Sequence, residues 1–141
     1  MRKTLTFMIA FLIFVLGSVI QQNPASAATC WTASRTYTQF PNLFSVTLKA
    51  DPYCGDGRHF TKAITWKRSY TESAVWSFNK WFPRVVSSGT GTSPSGRTNV
   101  EWRQRQQLAE FKTCYTVCLH SSPHGVQIRV YADGWWTSSV Q

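Results

Sequence analysis

The sequence is poor in acidic residues: 6 Asp and Glu stand against 15 Lys and Arg in a chain of 141 residues. A surface with so little negative charge favours anionic partners, such as anionic cell-wall polymers, acidic lipids, nucleic acids or acidic proteins. Basic charge is also common among secreted soluble proteins, so it narrows the range of partners without naming one.

Several motifs of enzyme active sites are also missing. The sequence contains no nucleophile elbow of the serine hydrolases and no glycine-rich loop that would cradle phosphates. It has no internal repeat, and no segment of the mature chain requires a long helix. These absences disfavour the common hydrolase and nucleotide-binding classes, although they leave other catalysis open.

The only long apolar run lies at the N-terminus. It covers residues 5–20, follows the basic pair Arg2-Lys3 and precedes the small-residue pattern Ala25-Ser26-Ala27. The run is shorter than the roughly 18–20 residues of a spanning helix, so we predict a cleaved signal peptide over 1–27 rather than a membrane anchor. The mature chain, residues 28–141, is then one secreted domain with 13 basic and 6 acidic residues, a formal charge of +7.

The stretch from Cys30 to Cys54 has the clearest pattern in the chain. Two runs alternate apolar and polar side chains, which predicts strands with one buried face, and the dipeptide Pro41-Asn42 between them predicts a turn. A chain reversal near residue 42 places Cys30 opposite Cys54. The inward-facing residues are Trp31, Ala33, Tyr37, Phe44, Val46, Leu48 and Ala50.

Alternation continues beyond this hairpin. We expect a strand from Phe60 to Tyr70, whose apolar side is interrupted by Lys62 and Arg68 and therefore meets water at both ends. Residues 73–82 fit a strand or a helix face, and their aromatic content favours a strand. The Ser-, Thr- and Gly-rich residues 87–96 predict a mobile loop.

The C-terminal part also alternates. Ala109, Phe111, Tyr115, Val117 and Leu119 are expected to point inward, and Asp133-Gly134 predicts a hairpin turn before a last strand. The fold class is therefore all-β: an antiparallel β-sandwich, or a small barrel, of seven to eight short strands. In this fold Val46, Val100 and Ile128 should meet in a common core.

An even number of cysteines after an export signal favours disulfides. If Cys30 pairs with Cys54, then Cys114 must pair with Cys118. These two lie about 13 Å apart on a straight strand, too far to bond. Either the chain turns sharply between them, or each late cysteine pairs with an early one. The sequence leaves the connectivity open.

The late cysteines also form part of a possible metal motif. Cys114, Cys118, His120 and His124 have the spacing C-x₃-C-x-H-x₃-H, which contains zinc-ligand residue types but matches no common zinc module. Disulfides are the stronger interpretation in an exported protein. We therefore expect neither a metal site nor a cofactor.

A small basic secreted protein could also be a ribonuclease, which needs an acid, a base and a cation around a phosphodiester. Candidates occur without diagnostic spacing, and they are His59 near Lys67, His120, His124, and Glu101 among Arg97, Arg103 and Arg105. A carboxylate between arginines is more often a surface ion pair. Catalysis is therefore the less favoured class, and no catalytic residue is assigned.

Basic residues interleaved with aromatic ones give the most informative pattern. Arg97, Arg103 and Arg105 are predicted to share an outward face, with Val100 and Trp102 turned inward. All seven Trp lie in the mature chain, too many for a small core to hide, and an adjacent Trp pair could stack on sugar rings or bases. The predicted binding residues are Arg97, Arg103, Arg105, Lys67, Arg129, Trp135 and Trp136.

These features favour a secreted cationic protein that binds an anionic or carbohydrate-rich cell surface, in an antimicrobial or toxin-like role. The partner would be a cell-wall polymer, an acidic lipid or a carbohydrate, with nucleic acid less favoured. A second hypothesis is an inhibitor of a secreted hydrolase that presents the Asp56 loop or the loop at residues 120–125. A third is the ribonuclease. A basic face that only keeps the protein soluble is the plainest alternative.

Overall fold

A computed structural model describes residues 28–141 of the chain. This part contains nine β-strands and no helix, and every strand pairing is antiparallel, which confirms the predicted all-β fold. The strands are β1 (Thr29–Gln39), β2 (Phe44–Gly55), β3 (Trp66–Thr71), β4 (Ser77–Trp81), β5 (Val85–Gly91), β6 (Val100–Cys114), β7 (Cys118–His120), β8 (His124–Tyr131) and β9 (Trp136–Val140). The predicted signal peptide falls on residues 1–27, outside the described residues, and stays a prediction. The described chain has no helix that could span a bilayer.

The strands form two sheets that pack face to face. One sheet has the order β1-β2-β3, and the other has the path β4-β6-β8-β9 with β5 and β7 also paired to β6. β5 and β8 pair with the same residues of β6, and β4 and β7 both pair with Lys112, so the members of each pair occupy opposite edges of β6. β4 and β5 therefore follow one another along the outer edge of this sheet.

The β1–β2 hairpin forms as the alternation predicted. Gln39 pairs with Phe44 across the turn, and Cys30 pairs with Cys54 at the far end, where a disulfide joins them. The turn is centred slightly before residue 42. The register still brings the cysteines together because β2 carries one extra residue, in the segment Asp51-Pro52 opposite the single Thr32. A bulge accommodates proline well, since proline has no N–H for the ladder.

The core is divided into three clusters rather than one. Val46, Val100 and Ile128 are all fully buried, but each belongs to a different cluster, so the prediction that they meet in one centre was wrong. The largest cluster lies between β1, β2 and β8. The half-buried rings of Tyr37 and Phe60 each contact two clusters and join them.

Two segments differ from the expected strands. The expected strand 60–70 is shorter at its start, since β3 covers residues 66–71. Residues 77–81 of the ambiguous segment form β4, as their aromatic content predicted. Half of the expected mobile loop at 87–96, residues 87–91, belongs to β5. Gly89 is needed for packing, since a Cβ there would lie 2.7 Å from Cζ2 of Trp102 on the neighbouring strand.

Candidate functional site

The sandwich is closed at one end of its β3 edge and open further along. Tyr70 of β3 stacks on Phe78 of β4, with ring centroids 4.1 Å apart, and both rings contact Phe111. Because inward positions on a strand recur every second residue, Arg68 and Trp66 follow Tyr70 on the same face of β3. At Tyr70 packed aromatic rings close the edge of the sandwich. At Arg68 and Trp66 the edge is not closed, and a cleft opens there.

The opposite wall of this cleft comes from the inner face of β6. Arg103 pairs with Val130 and Arg105 with Ile128, two buried core residues of β8 whose side chains point inward. Directly paired residues on adjacent strands share a face of the sheet. The prediction that these arginines face outward was therefore wrong, and Trp102 lies on the outer face instead.

We call the resulting space the arginine cleft. It has a volume of ≈ 610 Å³ and is lined by Trp66, Arg68, Trp81, Phe82, Pro83, Arg84 and Arg105. Its position follows from a break between the two edge strands: Pro83 lies between β4 and β5, and the amide of buried Gln107 donates a 2.8 Å hydrogen bond to the carbonyl of Phe82. This bond holds the break, and hence Arg84, against β6.

The three arginines of the cleft have no carboxylate partner. No ion pair within residues 28–141 involves Arg68, Arg84 or Arg105. The Nε atom of Arg105 is buried and makes no hydrogen bond. Burial lowers the pKa of the Arg105 guanidinium, and the positive charges of Arg84 and Arg68 lower it further. The cleft is thus a site of uncompensated positive charge.

Two tryptophan rings lie beside these charges. The guanidinium carbon of Arg68 lies 4.6 Å from the ring centroid of Trp81, and that of Arg105 lies 5.9 Å from the ring of Trp66. Cation–π contacts of this kind hold a guanidinium in place without consuming its hydrogen-bond donors. The arginines therefore stay positioned while their N–H groups remain available to a ligand.

A second cavity continues the cleft beyond Trp66, which lines both spaces. It has a volume of ≈ 580 Å³ and extends to Phe60 and Lys62 on one side and to Val86 and Arg103 on the other. The Arg103 guanidinium lies 5.2 Å from the Phe60 ring, but 3.8 Å from a Glu101 oxygen, so its charge is partly compensated.

The remaining basic residues of the prediction lie elsewhere. Arg129 stacks on Trp102 at 4.0 Å and donates to Gln104, all on the outer face of the larger sheet. Lys67 lies on the outer face of the smaller sheet, 3.5 Å from Asp51. Arg97 lies at one end of the sandwich, where it donates to the carbonyl of Gly57. The predicted basic patch is thus dispersed over separate surfaces.

The predicted aromatic pair is exposed but also distant from the cleft. Trp135 and Trp136 lie at the β8–β9 turn and, with Trp31, border a small cavity of ≈ 350 Å³. Gly134 packs against the Trp31 indole, where a Cβ would come within 2.5 Å. Both tryptophans of the pair have free surface, whereas the sequence required only one to be free.

The possible metal motif is excluded by covalent bonding of its thiols. Cys114 and Cys118 are joined to each other in a disulfide, with a tight turn between β6 and β7. This finding selects the local pairing from the connectivities that the sequence left open. Residues 28–141 contain no group of three His, Cys, Asp or Glu side chains able to hold a metal ion.

The acid–base candidates are partly brought together. Nδ1 of His59 lies 3.1 Å from Oε1 of Glu101, and the other carboxylate oxygen accepts the N–H of Phe60, which holds the pKa of Glu101 below its usual value. A second exposed pair, His120 with Glu110 at 3.3 Å, has a similar geometry. Pairs of this kind are therefore a feature of the surface rather than a distinctive catalytic arrangement.

Sequence analysis missed Arg68, Arg84, Trp66 and Trp81 as site residues. One signal was present: Arg68 interrupts an apolar face, as a charged residue does when it lines a cleft rather than a core. The two disulfides are consistent with an extracellular protein. Comparison with protein-family models, with curated proteins and with solved structures finds no match for this chain.

Proposed function

We propose that this protein is a secreted cationic protein that binds an anionic, phosphate-bearing polymer of a cell surface through the arginine cleft. The observation that carries the proposal is the convergence of Arg68, Arg84 and Arg105 without any carboxylate partner in the described chain. Like charges held close together cost free energy in the absence of a ligand, and a bound anion would compensate them.

The chemistry of the cleft favours phosphate groups in particular. Guanidinium groups bind phosphate oxygens with paired, charge-assisted hydrogen bonds, and no carboxylate of the described chain forms an ion pair with the guanidinium groups of the cleft. The faces of Trp66 and Trp81 supply apolar surface for the sugar or polyol units between phosphates. The second cavity beyond Trp66 extends the binding surface, as a polymer of repeating charge would require.

A matched pair of double variants tests this proposal. R68Q/R105Q removes two charges from the cleft, and K49Q/K67Q removes two charges from paired positions on the outer face of the smaller sheet. Binding to long-chain polyphosphate is measured by calorimetry at several salt concentrations, with a neutral glucan as the control polymer. We expect R68Q/R105Q to weaken binding about tenfold or more and K49Q/K67Q less than about threefold.

Equal losses in the two variants would mean that net charge alone attracts the polymer, and the cleft would have no special role. Absence of binding by the unsubstituted protein at low ionic strength would refute the proposal altogether. Binding of glucan as tight as that of polyphosphate would identify a carbohydrate site instead.

The ribonuclease alternative depends on one contact, the hydrogen bond between His59 and Glu101, a kind of pair that also occurs at His120 and Glu110. A carboxylate at Nδ1 orients an imidazole so that Nε2 can act as a base. RNA turnover that disappears in H59A but persists in H120A would support this alternative. Turnover absent from the unsubstituted protein, or unaffected by H59A, would remove it. The inhibitor hypothesis stays a prediction.

A further inference from the structure

Large apolar side chains project into solvent from three turns of the sandwich. Phe40 in the β1–β2 turn is 87% exposed and Val75 before β4 is 61% exposed. In the β6–β7 turn Tyr115 is fully exposed and Val117 is 69% exposed, and Leu119 follows at 62%. Side chains of this size in solvent are unusual when they are clustered, and clustered exposure marks a contact surface.

The three turns lie at the same end of the molecule. The ring of Phe44, which directly follows the first turn, stacks on Phe111 at 4.0 Å and contacts Trp76 at 5.8 Å. Trp76 directly follows Val75, and Phe111 precedes the third turn by a few residues on β6. The exposed side chains therefore form a single cap beyond this part of the core, which we call the apolar tip: Phe40, Val75, Tyr115, Val117 and Leu119.

The β6–β7 turn is constrained by a disulfide and a backbone hydrogen bond. The Cys114–Cys118 disulfide closes it, and the N–H of Tyr115 donates to the carbonyl of Val117 at 3.1 Å. Both bonds limit the conformations of this turn, and in the structure they hold Tyr115 and Val117 with their side chains in solvent.

The turns also satisfy much of their own backbone. The N–H groups of Asn42 and Leu43 donate to the carbonyl of Gln39, and Oγ of Ser73 accepts the N–H groups of Val75 and Trp76. Backbone groups already bonded within a turn are cheaper to transfer from water to a less polar medium. Such turns suit the interfacial region of a bilayer.

Charge around the apolar tip fits an anionic lipid surface. Lys112 lies three residues before Tyr115 on β6, about 10 Å back from the tip, which is the depth that separates lipid headgroups from shallowly inserted side chains. Two carboxylates lie on the adjoining segments: Glu110 forms an ion pair with Lys80 and lies 3.3 Å from His120, whereas Glu72 accepts the N–H of Phe78 and keeps its negative charge. The described chain as a whole carries 13 basic and 6 acidic residues.

We propose that the apolar tip inserts into the interfacial region of an anionic lipid bilayer, with Lys112 at the level of the headgroups. Three separate convex turns favour lipid over a protein partner, because acyl chains flow around projecting side chains whereas a protein would need a matching set of hollows. This contact is independent of the arginine cleft and adds a membrane-facing end to the proposed function.

The test compares two single substitutions of the same chemistry. V117S removes an apolar side chain from the tip, and V85S removes a comparably exposed one, 58% exposed, from β5. Co-sedimentation of the disulfide-bonded protein is measured with vesicles of phosphatidylglycerol and phosphatidylcholine and with phosphatidylcholine alone. We expect binding to the anionic vesicles, weakened about tenfold by V117S, further by Y115S/V117S, and unchanged by V85S.

Three outcomes would overturn the inference. V117S could bind vesicles as well as the unsubstituted protein does, or V85S could lose as much binding as V117S. The protein could also ignore vesicles and form dimers that V117S abolishes, which would make a second copy the occupant of the tip. Polyphosphate binding measured on the same variants should be unaltered, so a failure here is distinct from a failure of the arginine cleft.

Discussion

The two ends of the sandwich differ in whether the side chains of their turns bond to the protein or point into solvent. At the end that contains buried Cys54, Trp135 and Trp136 keep exposed surface, but polar groups bond the turns to one another. Asp133 accepts hydrogen bonds from Ser93, Ser95 and the N–H of Trp135, and the phenol of Tyr53 donates to the carbonyl of Gly134. At the apolar tip, side chains of the turns point away from the protein. Each end carries one disulfide.

We infer from this difference that the Cys54 end contributes more to the stability of the fold and that the apolar tip is the end open to contact. The Cys30–Cys54 bond spans 24 residues and joins two strands beside the largest core cluster, whereas the Cys114–Cys118 bond spans 4 residues and is exposed. A bond that closes a longer loop removes more entropy from the unfolded chain. The disulfide at the Cys54 end is therefore expected to stabilise the fold more than the disulfide at the apolar tip.

The largest contrast is expected from removing each disulfide separately. C30S/C54S should lower the free energy of unfolding by about 3.5 kcal/mol, and C114S/C118S by about 2 kcal/mol, from loop length alone. Urea unfolding of the two variants measures both values. Equal losses, or a larger loss for the short loop, would contradict the assignment of stability to the Cys54 end.

Removing the carboxylate that caps the Cys54 end should have the next largest effect. D133A leaves Ser93, which is buried, and Ser95 without their acceptor, so we expect a loss of about 2 kcal/mol. D133N, which keeps an acceptor oxygen, should recover part of that loss. Urea midpoints that are the same for D133A and D133N would show that hydrogen bonding is not the cause.

Acid should weaken the same end through Glu101. Its pKa is lowered chiefly by the hydrogen bond from the N–H of Phe60, so its stabilising contribution is complete above the ordinary value of 4.5 and is lost as the pH falls below it. E101Q should lower stability by about 1 kcal/mol at pH 7. The difference in urea midpoint between E101Q and the unsubstituted protein should narrow as the pH falls below 4.5. A difference that stays constant with pH would refute this.

The smallest effect is expected at the other end. Tyr115 is fully exposed and Val117 is mostly exposed, so Y115S/V117S should change the free energy of unfolding by less than about 0.5 kcal/mol. A loss above 1 kcal/mol would show that the tip packs on the protein in solution and would erase the contrast between the ends.

Alternation in the sequence predicted the β1–β2 hairpin because each strand has one apolar face along its whole length and its partner is adjacent in the chain. The same reasoning failed in β6. Val100 and Trp102 predicted that the even-numbered positions face inward, whereas Ala109 and Phe111 predicted that the odd-numbered positions do. The strand is continuous, and its inner face changes from apolar at Phe111 to cationic at Arg105. A pattern read over a few residues cannot detect such a change, because the half of β6 around Phe111 faces the core and the half around Arg105 faces the cleft.

The remaining errors have causes that lie in distant parts of the chain. Gly89 indicated a loop, but it is part of a strand because Trp102 needs its missing side chain. Tyr115 and Val117 are strand-forming residues, and only the Cys114–Cys118 bond forces a turn there. Arg84 enters the cleft because Gln107 holds the neighbouring carbonyl. Each of these placements depends on a tertiary contact that local pattern does not encode.

The length of β6 sets a fixed geometry between the two proposed contacts. Arg105 lies inside β6 and Tyr115 directly follows its last residue, ten positions further along, a separation of about 30 Å. If the apolar tip is inserted in a bilayer, a polymer bound in the arginine cleft would consequently lie at a constant distance from the lipid surface. The strand would act as a rigid spacer that places wall material and membrane at a set distance from each other.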